Sequence, residues 1–167
     1  MKIIKDGAIV EDGWTHVPSD ATLADVPAGD VIVPLTLWQA EKEALSARAG
    51  RLGVRLASDD LAETIAGDLD RFAVIAIEFP IYRDGRGYSQ ARILRDRYSY
   101  EGELRAVGDV LKDQMFYLHR VGFNAFEVRA DRSIEDALKS LTDFSVTYQP
   151  AADNPLPLRR RFGQHTR

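Results

Sequence analysis

Apolar residues along this chain fall into short blocks, and the stretches between them repeat at helical spacing. The first two blocks, Ile3-Ile4-Lys5 and Ala8-Ile9-Val10, flank Asp6-Gly7 and predict a β-hairpin with a type I′ turn. Residues 11–30, with Pro18 and Pro27, lack a period and read as a loop leading to the main sheet. Val31 to Val33 is then a strand. Thr36 to Ala49 is a helix capped by Thr36 or started slightly later, with Gly50 or Gly53 as its stop. Val54 to Ala57 is a strand, and Ser58-Asp59 opens a short helix through Gly67. Phe72 to Phe79 is the strongest strand, apolar on both faces apart from Glu78.

The same alternation continues to the end. Glu103 to Val107 predicts a strand, Asp109 to Val121 a helix stopped by Gly122, and Ala125 to Arg129 a strand. Ser133 caps a helix through Leu141, and Phe144 to Tyr148 is a final strand. Apolar strands separated by helices signify a parallel sheet with covering helices. The expected fold is therefore α/β, with about six mostly parallel strands after the N-terminal hairpin. An open doubly wound sheet is one architecture for it, and a half-barrel-like sheet is the alternative. Residues 1–150 are expected to form one domain. Residues 151–167, with their prolines and the run Arg159-Arg160-Arg161, read as a flexible tail.

Composition narrows the function classes. The chain is 45% hydrophobic and 29% charged, and none of its apolar runs reaches the ~20 residues that span a bilayer. The N-terminus shows no signal-peptide pattern, so the expectation is a cytoplasmic protein away from membranes. With no cysteine, disulfides, thiolate nucleophiles and cysteine-ligated clusters are excluded. His16, His119 and His165 are too scattered for a metal motif, so no metal is expected. Any redox chemistry would have to use a bound cofactor, of unknown identity, or another protein.

One segment reverses the chain's net charge of −4: six arginines fall between Arg83 and Arg105. The loop Arg83-Asp84-Gly85-Arg86-Gly87-Tyr88 follows the strongest strand and leads into a helix carrying Arg92, Arg95 and Arg97. A glycine-containing loop between a strand and a helix N-terminus leaves backbone N–H groups to face an anion. In a parallel sheet the loops at the carboxyl ends of the strands line the ligand crevice. Arg83, Arg86 and Arg132 are thus candidates to bind a small oxyanion, with Asp109 or Asp131 orienting them or moving a proton. Gly85 or Gly87 would then have positive φ or admit the ligand to the backbone. Arg92 and Arg95 would extend a basic face toward a partner.

Plainer roles compete for the same residues. Asp109 and Ser133 sit where N-caps belong, and the helix arginines have Asp96, Glu101 and Glu103 as ion-pair partners. Gly85-Arg86-Gly87-Tyr88-Ser89-Gln90 begins a dinucleotide fingerprint, but Gln90 replaces its third small residue. Nucleic-acid binding is not expected, since carboxylates balance the arginines and the pI is about 5.4.

Over most of its length the chain resembles a bacterial family of unknown function, most sharply from Phe79 to Phe126 and notably in Arg83-Asp84-Gly85-Arg86-Gly87 and Arg105-Ala106-Val107-Gly108-Asp109. Its members are often labelled "oxidoreductase probably involved in sulfite reduction". The resemblance implies a companion of assimilatory sulfite reductase, encoded beside it, and transfers no catalytic residue. It leads to the expectation of an accessory protein that binds the reductase or its electron donor. A small-oxyanion enzyme or sensor built on Arg83 to Ser89, and a structural homodimer, are the alternatives.

Overall fold

The computed structural model describes residues 1–81 and 83–141. Tyr82, the expected strand 144–148 and the expected tail 151–167 lie outside the described residues. The hairpin is present: β1 (Lys2–Lys5) and β2 (Ala8–Glu11) pair antiparallel. Asp6 and Gly7 have φ of 50° and 78°, the positive values a type I′ turn requires at both positions. Six further strands follow: β3 (Thr15–His16), β4 (Val31–Pro34), β5 (Leu52–Leu56), β6 (Val74–Phe79), β7 (Glu103–Gly108) and β8 (Ala125–Phe126). The helices are α1 (Leu35–Ala40), α2 (Lys42–Ala47), α3 (Arg86–Arg92), α4 (Lys112–Val121) and α5 (Ile134–Ser140).

The eight strands form one sheet in the order β2-β1-β8-β7-β6-β5-β4-β3, so the fold is α/β with a mostly parallel sheet. From β3 to β8 every neighbour is parallel and next in sequence. Of the two expected architectures, the half-barrel is the one found. A doubly wound sheet reverses strand order at a switch point. Here successive right-handed crossovers advance in one direction and place their helices on a single face.

Side-chain alternation along the strands bears this out. Val33, Val54, Ile75, Ile77, Leu104 and Phe126 share the large core with Trp38, Leu45, Leu94, Met115 and Leu118 from the helical connections. On the opposite face a smaller apolar cluster, Ile32, Val74, Ala76 and Val107, is buried with Trp14 packed against it.

The sheet is strongly curled. The outermost strands, β2 and β3, are joined by Asp12, Gly13 and Trp14 alone. Four residue steps span at most about 14 Å, whereas eight flat strands would stand roughly 33 Å apart edge to edge. The two edges are therefore drawn together, and residues 12–14 strap the open side on the helix-free face.

Several elements differ from expectation. The segment 11–30 contains β3 and a 3₁₀ turn, Leu23–Asp25, in which Asp25 accepts from the backbone N–H and hydroxyl of Thr22. The expected helix 36–49 is broken into α1 and α2 at Glu41, whose φ of −130° is not helical. Residues 58–67 hold a 3₁₀ turn, Ala62–Ile65, instead of an α-helix. The strand expected over 125–129 has two residues, Ala125 and Phe126. Past α3 the chain widens into a π-helical turn, Ile93–Arg97.

Candidate functional site: the carboxyl edge and the helix-free face

At the carboxyl edge, the loop after β6 is built around Asp84. Its carboxylate accepts from the Arg86 backbone N–H at 3.1 Å, and Oδ2 takes Nη2 of the same residue at 2.7 Å. The same nitrogen reaches Ser58 Oγ in the loop after β5 at 2.9 Å. These bonds hold the Asp84 carboxyl far below the usual carboxylate range, the Arg86 side chain being the main cause. Arg86 remains 60% exposed. Arg83 is also exposed. On the same pair of loops, Leu61 is 64% and Ile81 58% exposed.

Neither Gly85 nor Gly87 has a positive φ, and only Gly87 is required by packing. Gly85 has φ −83° and precedes α3. A Cβ on Gly87 would come within 2.6 Å of the Phe79 ring, so this position lets α3 lie close on β6. Tyr88 packs edge-on against Phe79 with ring centroids 5.8 Å apart, and its partial burial raises the phenol pKa. Arg92 forms an ion pair with Asp96 at 3.0 Å. Arg95 does not join that surface. It turns inward, donating to the carbonyls of Gly122, Gly102 and Tyr100, and so links the π-helical turn to its neighbouring loops.

The remaining candidates stand elsewhere on the edge. Asp109 does not cap α4, which begins at Lys112 after Leu111. It accepts from Arg129 Nη1 at 2.8 Å, and Arg129 also bonds Asp131. Arg132 approaches Asp131 at 3.9 Å. Ser133 is the N-cap expected of it, accepting from Asp136 N–H. A cavity of about 290 Å³ here is lined by Lys112, Asp113, Asp131, Arg132, Ser133 and Asp136. Arg83, Arg86 and Asp109 are not among its lining residues, so this cavity is not the volume on which Arg83, Arg86, Asp109 and Arg132 were expected to converge.

A second polar centre, missed from the sequence, occupies the helix-free face. Arg105 is 1% exposed in the middle of β7. Its Nε donates to Glu103 Oε1 at 2.7 Å, Nη1 to Asp12 Oδ2 and to Glu127 Oε1 at 2.9 Å each, and Nη2 to Asp12 Oδ1 at 3.1 Å. Lys5 adds an ion pair to Glu103 at 2.9 Å, and His16 Nε2 lies 2.6 Å from Glu127 Oε1. Burial works against the Glu127 carboxylate, but the bonds from His16 and Arg105 outweigh it and lower its pKa. The signal was the alternation of Glu103 and Arg105 with Leu104 and Ala106, which marks one polar face of a strand. Every donor of this arginine that is described faces a carboxylate, so the centre reads as a structural clasp between β7, the strap and β8.

Residues 53–159 match the family model described as "Bacterial protein of unknown function (DUF934)", which spans well over half of the chain. The chain belongs to that family. No curated protein matches it.

Proposed function

We propose that this member of the DUF934 family is an accessory protein of assimilatory sulfite reduction, binding the reductase or its electron donor. The observation that carries the binding half of this reading is the presentation of Arg86. Asp84 and Ser58 fix its guanidinium, yet most of it faces solvent beside the loops bearing Leu61 and Ile81. A preorganised arginine with neighbouring exposed aliphatic side chains is the composition of an interface centre. Arg83 adds a second exposed cation, which suits a partner surface rich in carboxylates. The pathway half rests on the sequence resemblance.

Co-purification from cells growing on sulfate tests it. The wild-type protein is expected to bring down the reductase or its donor, and a Leu61→Asp, Ile81→Asp, Arg86→Glu variant to lose them. Deletion is expected to create a requirement for cysteine or reduced sulfur. Absence of both partners from the wild-type complex, or normal growth of the deletion strain on sulfate, overturns the reading. A rise in melting temperature with sulfite or sulfate that Arg86→Ala abolishes would favour an oxyanion sensor, in which the anion displaces Asp84.

A further inference from the structure

We infer that the amino edge of the sheet, opposite the loops discussed above, holds a binding site for a small organic anion: an apolar body bearing a phosphate or carboxylate group. The site is a cavity of about 370 Å³ at the starts of β5 and β6, within the range of small-ligand pockets. The edges of Leu45, Leu52 and Phe72, otherwise buried, form its apolar floor, and Arg48, Arg51, Arg71 and Ser46 form its polar rim.

What distinguishes these arginines is the kind of partner they have. Arg48 donates to two neutral acceptors, Gly29 O at 2.8 Å and Pro27 O at 2.6 Å. Arg71 donates from Nη1 to Ser46 Oγ at 2.8 Å, and among the described residues its Nε and Nη2 have no acceptor. Only Arg51 is matched by a carboxylate in contact with it, Asp30 at 2.6 Å, and its guanidinium also sits 4.9 Å from the Trp14 ring centroid. Asp70 is the one acid in the lining. Asp68 also feels the charge of Arg71 but is itself paired with Lys42 at 2.8 Å, so three guanidiniums and Lys42 against Asp30, Asp68 and Asp70 leave a net positive site in a chain whose total charge is −4.

The arginines are also held in position. Gly50, at φ 95°, lies so close to Gly29 that a Cβ would collide with its carbonyl. That approach lets the loop 27–30 clamp Arg48 and Arg51 before any ligand arrives. Guanidinium donors fixed in advance bind planar carboxylate or phosphate oxygens at little entropic cost. The apolar floor then favours an anion with a hydrophobic body over the bare ion.

Titration calorimetry with phenyl phosphate, benzoate, inorganic phosphate and phenol tests this on the full chain. Phenyl phosphate or benzoate is expected to bind saturably, inorganic phosphate more weakly, and phenol not at all. Arg71→Gln should weaken binding about tenfold, the loss expected for one charge-assisted hydrogen bond. Ser46→Asp, which places a competing carboxylate beside Arg71, should abolish it. Lys139→Gln, on the distant α5, should change nothing. No saturable binding of either aromatic anion by the wild type overturns the site, as does unchanged affinity in both Arg71→Gln and Ser46→Asp. Equal affinity for inorganic phosphate and phenyl phosphate overturns the organic ligand.

Discussion

His16 Nε2 touches Glu127 Oε1 at 2.6 Å although four strands, β4 to β7, separate their positions in the sheet. Side chains cross that interval only because the sheet curls toward its helix-free face, so this pair measures the closure of the half-barrel. It also makes closure depend on pH. The Glu127 carboxyl is lower in the folded protein than its ordinary value of 4.5. Such a group adds stability that is fully present above the unfolded value and is lost as the pH falls through the folded one. Denaturant midpoints measured from pH 7 down to pH 3 should therefore drop more steeply for the wild type than for Glu127→Gln. Parallel curves would show that the carboxylate is not what this contact stabilises.

Arg105 is expected to be the most sensitive charged position in the protein. Replacing it by Met removes the cation and leaves Asp12, Glu103 and Glu127 crowded together, with Asp12 and Glu103 almost wholly buried. Removing one partner of a buried ion pair costs about 3–5 kcal/mol. Urea denaturation should show a loss of that size. Adding Asp12→Asn and Glu127→Gln should recover part of it, because two of the stranded charges are then gone. A single Arg105→Met variant as stable as the wild type would contradict a clasping role.

Two glycines should resist substitution for different reasons. Gly108 combines φ of 92° with the Phe79 carbonyl, which a Cβ would strike at 2.5 Å. Neither backbone can yield without disturbing β6 and β7, which pair along their full length. Gly87 is limited by the Phe79 ring instead, and a ring can shift at some cost. Overpacking of that kind typically costs about 1–3 kcal/mol. Gly108→Ala is expected to lower the melting temperature more than Gly87→Ala, and the reverse order would overturn this reading of the two contacts.

The alternation of apolar blocks and helical stretches made the α/β class legible, because strands such as Val74–Phe79 are apolar on nearly every residue. Strand order was not legible, since local patterning does not distinguish a crossover that advances from one that reverses. The strap over residues 12–14 was hidden for a related reason: the strand it leads into, Thr15–His16, is too short to show a period, and the strap's role depends on where the far edge of the sheet arrives. At the candidate site, the loop after β6 was visible through its glycines and arginines. Their partners were not, because Ser58 lies 28 positions before Arg86 and nothing local announces that pairing. Arg95 was misread for the opposite reason. An arginine at helical spacing from Arg92 resembles a surface charge, and only the widened turn directs it inward.

That inward turn yields the last prediction. Arg95 Nε donates to Gly122 O at 2.9 Å and Nη1 to Gly102 O at the same distance, so one side chain ties the end of α4 and the approach to β7 to the π-helical turn. Gly122, at φ 121°, packs against the Arg95 side chain so closely that a Cβ there would meet Cγ at 2.5 Å. Arg95→Met keeps the alkyl stem and deletes the donors, leaving partly buried carbonyls unpaired. Hydrogen bonds from charged groups contribute about 1.5–3 kcal/mol each to such sites, less where solvent reaches them. The variant should lose stability on that scale and show faster amide exchange from Gly122 to Asn124. Arg92→Met deletes only the exposed Asp96 pair and should cost less than about 0.5 kcal/mol. Equal losses for the two variants would mean that Arg95, like Arg92, is a surface residue whose bonds to the loops do not hold them.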